Sequence, residues 1–384
     1  MISRHNLKRF FYKTLKQPGY ALKVFGKRLR AYFAYHFSAC KNSPPEALTL
    51  FLTYRCNLRC KMCGQWGERG ITKKQFVGYD QSEFSPELVK AVIEEVSSFR
   101  PNITLFGGEP LLYPQCVEII RHIKKKGMHC LVITNGSLLD ELAKELVESG
   151  LDELNVSLDG KAALHDNIRG MPGLFDKITR GLKKVQDIKK QMDKHKPLIN
   201  LQCTINRDNY NHLEELIEVS RLVQADSLTF HHLIFITRAL KEKQDEVDRR
   251  LGCESSGWEG FIFESEIVPQ VLYEKIKKIR QGRYKFNIDF YPNFAQPALW
   301  HYYTNERYAP EGYSQRCLSP WVVAYVFPDG EVRPCLNSNF SFGNIKTAGF
   351  MQAWNSPQAA RYRQELKKDG IFPACVRCTE LYRY

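Results

Sequence analysis

Cys56, Cys60 and Cys63 fall within eight positions, in a C-x3-C-x2-C run that directly follows the apolar segment from Leu48 to Tyr54. Three thiols so placed can converge on one inorganic centre, yet they are one short of a closed site. A structural zinc site is saturated by four protein ligands, and iron–sulfur clusters are normally held by four thiolates. A cubane cluster held by three leaves one iron open to another ligand. A zinc knuckle or three incidental thiols would account for the same residues, and the surrounding elements have to separate these readings.

Those elements alternate regularly. Leu48 to Tyr54 reads as a first strand. Ser85 and Pro86 open a helix that runs to about Phe99, with serine as N-cap and proline in the first turn. Further strands are expected over Asn102–Phe106, His129–Thr134, Glu153–Leu158, Leu198–Ile205 and Ser227–Phe235. Between them lie helical patterns over Pro114–Lys126, Asp140–Ser149, Leu174 to about Lys194, and Leu213–Val223, and a last helix over Val268–Gln281. Such β-α alternation specifies a parallel sheet with right-handed crossovers. The expected fold is therefore α/β, a partial (β/α)6 TIM-like barrel with functional residues at the C-terminal strand ends. The charged, turn-rich stretch Thr237–Gly260 shows no clear period and reads as a lid or substrate loop. We divide the chain into an N-terminal arm (1–45), the barrel (46–285) and a C-terminal domain (286–384), where aromatics, prolines and new cysteines take over.

Gly107-Gly108-Glu109-Pro110 follows the second strand; its glycines allow close backbone approach, and its glutamate can pair with a cation. Asn135 follows the third strand, in what is otherwise an ordinary Asn-Gly turn, and Ser157 ends the fourth. In order and spacing, the three cysteines and this GGEP run resemble the radical S-adenosylmethionine (SAM) superfamily. The resemblance implies that Cys56, Cys60 and Cys63 hold a 4Fe–4S cluster whose free iron binds SAM. It implies that Gly107, Gly108 and Glu109 grip the methionyl ammonium, that Asn135 lies on the ligand face, and that Ser157 and Arg169 contact the ribose or carboxylate. Cluster-driven cleavage of SAM would then yield a 5′-deoxyadenosyl radical that abstracts hydrogen from a substrate. Met62 stands where relatives often carry an aromatic residue near the adenine, and Asp159 and His165 read as turn caps.

A second constellation is complete. Cys317, Cys335, Cys375 and Cys378 supply four thiolates, two of them in a C-x2-C pair, which suits zinc as well as a cluster. The residues around them, Cys317-Leu318-Ser319-Pro320-Trp321, Gly343-Asn344-Ile345 and Trp354-Asn355-Ser356, resemble the SPASM/twitch extension of radical SAM enzymes. That resemblance implies one auxiliary 4Fe–4S cluster with four cysteine ligands. Its implied use is to accept an electron from the substrate radical, which favours oxidation. Of the remaining cysteines, Cys116, Cys130 and Cys203 read as buried small hydrophobes, while Cys40 and Cys253 fall in loops.

Composition excludes several classes. With 43% hydrophobic residues the chain can build a real core, and no run approaches the ~20 apolar residues that span a bilayer. Reduced thiolates kept for metal point to the cytoplasm. Ten of the +14 net charges sit in residues 1–45, which contain no Asp or Glu, leaving about +4 for the rest. A basic arm interleaved with aromatics suits packing on the barrel or contact with a membrane surface, and nucleic acid is not expected. The expected activity is that of a radical SAM oxidoreductase acting on a small or glycan-like metabolite, by oxidation, dehydrogenation or epimerisation, with a flavodoxin- or ferredoxin-type reductant. Peptide or protein maturation is the alternative, and a non-catalytic metal-binding protein is the rival of another class.

Overall fold

Strand β1 (Ala47–Phe51), which leads into the first cysteine run, has a parallel neighbour on each side. In the computed structural model, which describes residues 18–37, 42–72, 83–306, 308–310, 312–313 and 315–383, it lies inside one ten-stranded sheet.

An N-terminal helix α1 (Pro18–Phe37) precedes it. After β1 come α2 (Pro86–Val96), β2 (Asn102–Phe106), α3 (Cys116–Lys125), β3 (Cys130–Thr134), α4 (Leu139–Glu148) and β4 (Glu153–Ser157). Two helices, α5 (Ala162–Arg169) and α6 (Leu174–Gln191), lead to β5 (Leu198–Ile205). Then follow α7 (Glu215–Leu222), β6 (Ser227–His232), α8 (Arg238–Leu251), α9 (Pro269–Gln281), β7 (Asn287–Tyr291) and α10 (Gln296–Thr304). The C-terminal part adds α11 (Ser319–Val322), β8 (Val323–Val326), β9 (Glu331–Arg333), β10 (Gly343–Asn344), α12 (Phe350–Trp354) and α13 (Pro357–Asp369).

Strands β1 to β7 pair in sequence order, all parallel, and β8 joins the other side of β1, also parallel. Only the β8–β9–β10 edge is antiparallel. The α/β partial barrel expected from the sequence is thus present. Its sheet runs on past residue 285, because β7 extends it beyond β6 and β8 returns to cover β1.

Alternation along the strands separates two faces. Ile103, Leu105, Val132, Leu154, Val156, Ile199, Leu201, Leu228 and Phe230 are fully buried, in one core with the apolar faces of the helices. The opposite face is polar and half-buried: Asn200 donates to both Glu153 and Asn155 and accepts from Ser227. Buried polar groups persist only when paired, and this network fills the base of the sheet.

One expectation is corrected. The stretch from Thr237 is not a loop: Thr237 caps α8 through the Leu240 N–H, and a 3-10 turn covers Ser256–Phe261. Its period is hidden because the buried face carries Lys241, Gln244 and Asp248 beside Leu240, Val247 and Leu251. Pro18 stands in the first turn of the 20-residue α1. Residues 1–17 and Cys40 lie outside the described residues.

Candidate functional site

The tip of β2 meets the chain just before the first cysteine run so closely that only glycine fits. A Cβ on Gly107 would stand 2.4 Å from the Thr53 carbonyl oxygen, and one on Gly108 would stand 2.3 Å from that of Arg55. The space is taken by backbone hydrogen bonds, Gly108 N–H to Thr53 O and Glu109 N–H to Arg55 O, both 2.8 Å. A side chain at either glycine would part these strand ends.

This approach buries the Glu109 side chain completely. Its carboxylate accepts from the Thr134 hydroxyl (2.7 Å), the Asn135 N–H (2.6 Å) and the Leu111 N–H (3.0 Å). Burial nevertheless pushes its pKa up to about 7, against the downward pull of these donors and of Arg169. A cation docked on this carboxylate would relieve that penalty, which suits the ammonium of an amino-acid ligand.

Asn135 does more than make a turn. Its Oδ1 accepts from the Ser137 N–H, while its Nδ2 donates to Asn57 Oδ1 at 2.9 Å. Asn57 in turn donates to the Ser137 hydroxyl at 2.9 Å, so the cysteine loop is clamped to the end of β3. Lys61 N–H to Ile168 O (3.0 Å) ties the same loop to α5. Sequence reasoning missed Asn57, and its place between Cys56 and Leu58 was the one available signal.

Cys56, Cys60 and Cys63 lie together in this loop, near enough for each of their sulfurs to influence the others. Burial pushes the Cys56 thiol up to about 12 and raises Cys60, against the pull of Arg169. The Leu58 N–H donates to the Cys56 sulfur, and the Trp66 N–H to the Cys63 sulfur at 3.4 Å. Arg169 has its Nε 2.6 Å from Asp159 Oδ2 and its Nη1 3.8 Å from the Cys60 sulfur. Asp159, fully buried, also accepts from the Thr204 N–H, and its own N–H donates to His165. It is therefore a buried counter-ion joining β4, β5 and α5. Met62 is half-buried against the core.

Ser157 is half-buried at the end of β4 and registers with Gln202 of β5. From there a polar row crosses the sheet: Gln202 registers with Thr229 and Asp289, and Thr204 with His231 and Tyr291. The His231 ring meets Gln202 Oε1 at 2.5 Å and the Tyr291 ring edge-on. Such a surface beside a ligand site suits a polar substrate.

Cys317, Cys335 and Cys375 lie near the buried Tyr362, as does Cys253, and Cys378 lies near Cys317 and Cys335. Burial pushes Cys317 up to about 12 and Cys335 up to about 11, and raises Cys375 and Cys378 further. A backbone N–H two residues on donates to the sulfur of Cys317 (from Ser319), Cys335 (from Asn337) and Cys378 (from Glu380), the pattern seen at Cys56. Hydrogen bonds of this kind stabilise metal-bound thiolates. Among the described residues no three His, Cys, Asp or Glu side chains converge tightly enough for a single ion. The four thiols make up the count that either zinc or a 4Fe–4S cluster takes. Cys253 lies near Cys335 and Asp248, while Cys116, Cys130 and Cys203 are buried in the core.

Comparison with known proteins agrees with this geometry. The radical SAM superfamily profile matches residues 50–219, and an iron-sulfur cluster-binding domain profile, SPASM, matches residues 317–379. The Fe-coproporphyrin III synthase of Methanosarcina barkeri is 27% identical over 79% of this chain and 72% of that protein. The AdoMet-dependent heme synthase of the same organism is 24% identical over 83% of this chain and 84% of that protein. SuiB of Streptococcus suis, solved with its precursor peptide SuiA, superposes with a TM-score of 0.60 at 13% identity, over 83% of this chain and 66% of SuiB.

Proposed function

We propose that this chain, which carries a radical SAM domain followed by a SPASM domain, cleaves SAM reductively and uses the resulting radical to oxidise a small polar substrate. The domains imply a SAM-binding 4Fe–4S cluster and an auxiliary iron–sulfur cluster. In our reading Cys56, Cys60 and Cys63 hold the first, and Cys317, Cys335, Cys375 and Cys378 hold the second. When bound, the first cluster would supply an electron for cleaving the sulfonium C–S bond, and the second would take up the electron that the substrate radical, left by hydrogen abstraction, gives up as it loses a proton.

The observation that carries this reading is the clamp of the cysteine loop onto the strand ends, which sets the Glu109 carboxylate near the Cys56 thiol. Glu109 would take the methionyl ammonium and Ser157 a ribose or carboxylate oxygen. Arg169 would act from behind, orienting Asp159 and donating towards Cys60. Gln202, His231 and Tyr291 would face the substrate, with the closed strand ends holding water away from the radical. The reductant would be a flavodoxin- or ferredoxin-type protein.

The test is anaerobic incubation of the iron-reconstituted protein with SAM and dithionite, following 5′-deoxyadenosine by mass spectrometry. Its formation supports the reading, and deuterium transfer into it then identifies substrates. Its absence from a fully loaded protein would sink the proposal. A second reading, favoured by the names of the two Methanosarcina relatives, is a tetrapyrrole substrate. Adding iron-coproporphyrin III to the same assay separates the two, since only the second predicts a changed porphyrin spectrum.

A further inference from the structure

Helix α1 has two opposite apolar faces, and the protein uses only one. Ala31, Ala34 and Tyr35 are buried. The Tyr35 ring meets Trp321 edge-on with centroids 5.0 Å apart, and Lys367 Nζ lies over that ring at 5.5 Å. Arg28 pairs with Glu46 at 3.2 Å, and Lys367 donates to the His36 carbonyl. The helix is thereby fixed against the C-terminal part of the molecule, close to Cys317.

The other face carries Leu29, Tyr32, Phe33 and Phe37, at 43, 48, 52 and 79% exposure. Positions i, i+3, i+4 and i+8 fall on one side of a helix. The other large exposed hydrophobics among the described residues, Met192, Leu222, Val268, Val271 and Trp300, are spread over several elements. Four such side chains within nine residues form a stripe, and a stripe calls for an occupant.

The sequence around it says which. Residues 1–45 hold ten Lys and Arg and no acid, so the stripe belongs to a segment of one charge sign. Arg4, Lys8, Arg9, Lys13 and Lys16 precede the helix, and Arg30 is exposed on its flank. Aromatics within a segment rich in positive charge match an anionic lipid surface, where rings enter the headgroup boundary and cations meet the phosphates. An acidic partner protein would suit the charges but does not require the aromatic row.

We infer that α1 is a membrane-docking helix that seats the protein on an anionic bilayer through Leu29, Tyr32, Phe33 and Phe37. Its inner face transmits that attachment to the wall of the auxiliary cysteine site through Tyr35 and Trp321.

The test is flotation of the reconstituted full chain with phosphatidylcholine vesicles, with and without phosphatidylglycerol. The protein should float only with the anionic vesicles and detach at high salt. Phe33→Ser with Phe37→Ser should weaken binding by about tenfold or more. Replacing Lys8, Arg9, Lys13 and Lys16 with Ser should weaken it by about fivefold per charge. The Phe33 and Phe37 variant should leave iron content unchanged, since both lie on the exposed face of α1, opposite the buried Tyr35. A wild-type chain that floats with neither vesicle overturns the inference, as does a serine variant that binds like wild type. A wild-type dimer that becomes monomeric on serine substitution, without vesicle binding, would assign the stripe to a second copy and overturn it equally.

Discussion

Asn135 Nδ2 donates to Asn57 Oδ1 across 2.9 Å, joining two residues 78 positions apart. Through this bond the loop that bears Cys56, Cys60 and Cys63 takes its position from the end of β3. Asn135→Ala leaves Asn57 without this donor, a loss of about 1–3 kcal/mol. We expect the affinity for SAM to fall about tenfold and the iron of the first site to be lost faster to a chelator. The absorbance of the auxiliary site should persist. Titration calorimetry and chelation kinetics check both.

Glu109 gives a pH signature. Burial raises its pKa to about 7 in the ligand-free protein, above the unfolded carboxylate value near 4.5. The folded state therefore holds the proton more tightly. Its contribution to stability is full below about pH 4.5 and is lost as pH rises to about 7. A ligand ammonium needs the ionised form, so the affinity for SAM should rise as pH rises through about 7 and level off above it. Glu109→Gln should weaken binding and abolish this dependence, and a pH series of dissociation constants reads it directly.

Arg169 and Asp159 form a buried pair, with side-chain exposures of 11 and 0%. Removing one partner of such a pair typically costs about 3–5 kcal/mol. Arg169→Met should be destabilised by about that much in chemical denaturation. Arg169→Met with Asp159→Asn should recover part of it, because the unpaired carboxylate is gone.

The two cysteine groups should separate in function. Replacing Cys56, Cys60 and Cys63 with Ala should end 5′-deoxyadenosine formation while leaving about four irons per chain. Replacing Cys375 and Cys378 with Ala should leave slow, uncoupled SAM cleavage but no completed substrate oxidation. Iron analysis and mass spectrometry of both variants check the assignment, and cleavage in the first would refute it.

Local signals carried far in this chain. The strands Asn102–Phe106 and Leu198–Ile205 were read with their observed ends, because apolar alternation and flanking turn residues agree there. Ser85 was legible as a cap because serine before proline has few other uses, and its hydroxyl does accept from the Leu88 N–H. Helix α8 was not legible, since its buried face is partly polar and is satisfied by pairs within the helix, such as Gln244 with Asp248, and by tertiary partners such as the Ala374 N–H on Gln244. Asp159 read as a turn residue because its partner, Arg169, enters only when α5 folds back. The Asn57 clamp was hidden for the same reason: the pairing spans two loops, and nothing local marks it.

Strand β8 pairs with β1 in parallel, Ala47 against Val323 through Leu50 against Val326. One flank of the strand that presents the first three cysteines is therefore supplied by residues made long after it. A growing chain would expose Cys56, Cys60 and Cys63 on a half-finished sheet edge until residues 323–326 leave the ribosome. Contacts so distant in sequence form slowly, and open strand edges invite misassembly. Iron delivered earlier in synthesis would meet an unfinished cradle, so in the proposed reading loading of the first site should follow synthesis of residues 323–326. In the proposed reading, the C-terminal part of the chain would thus withhold the first cysteine site until β8 is in place.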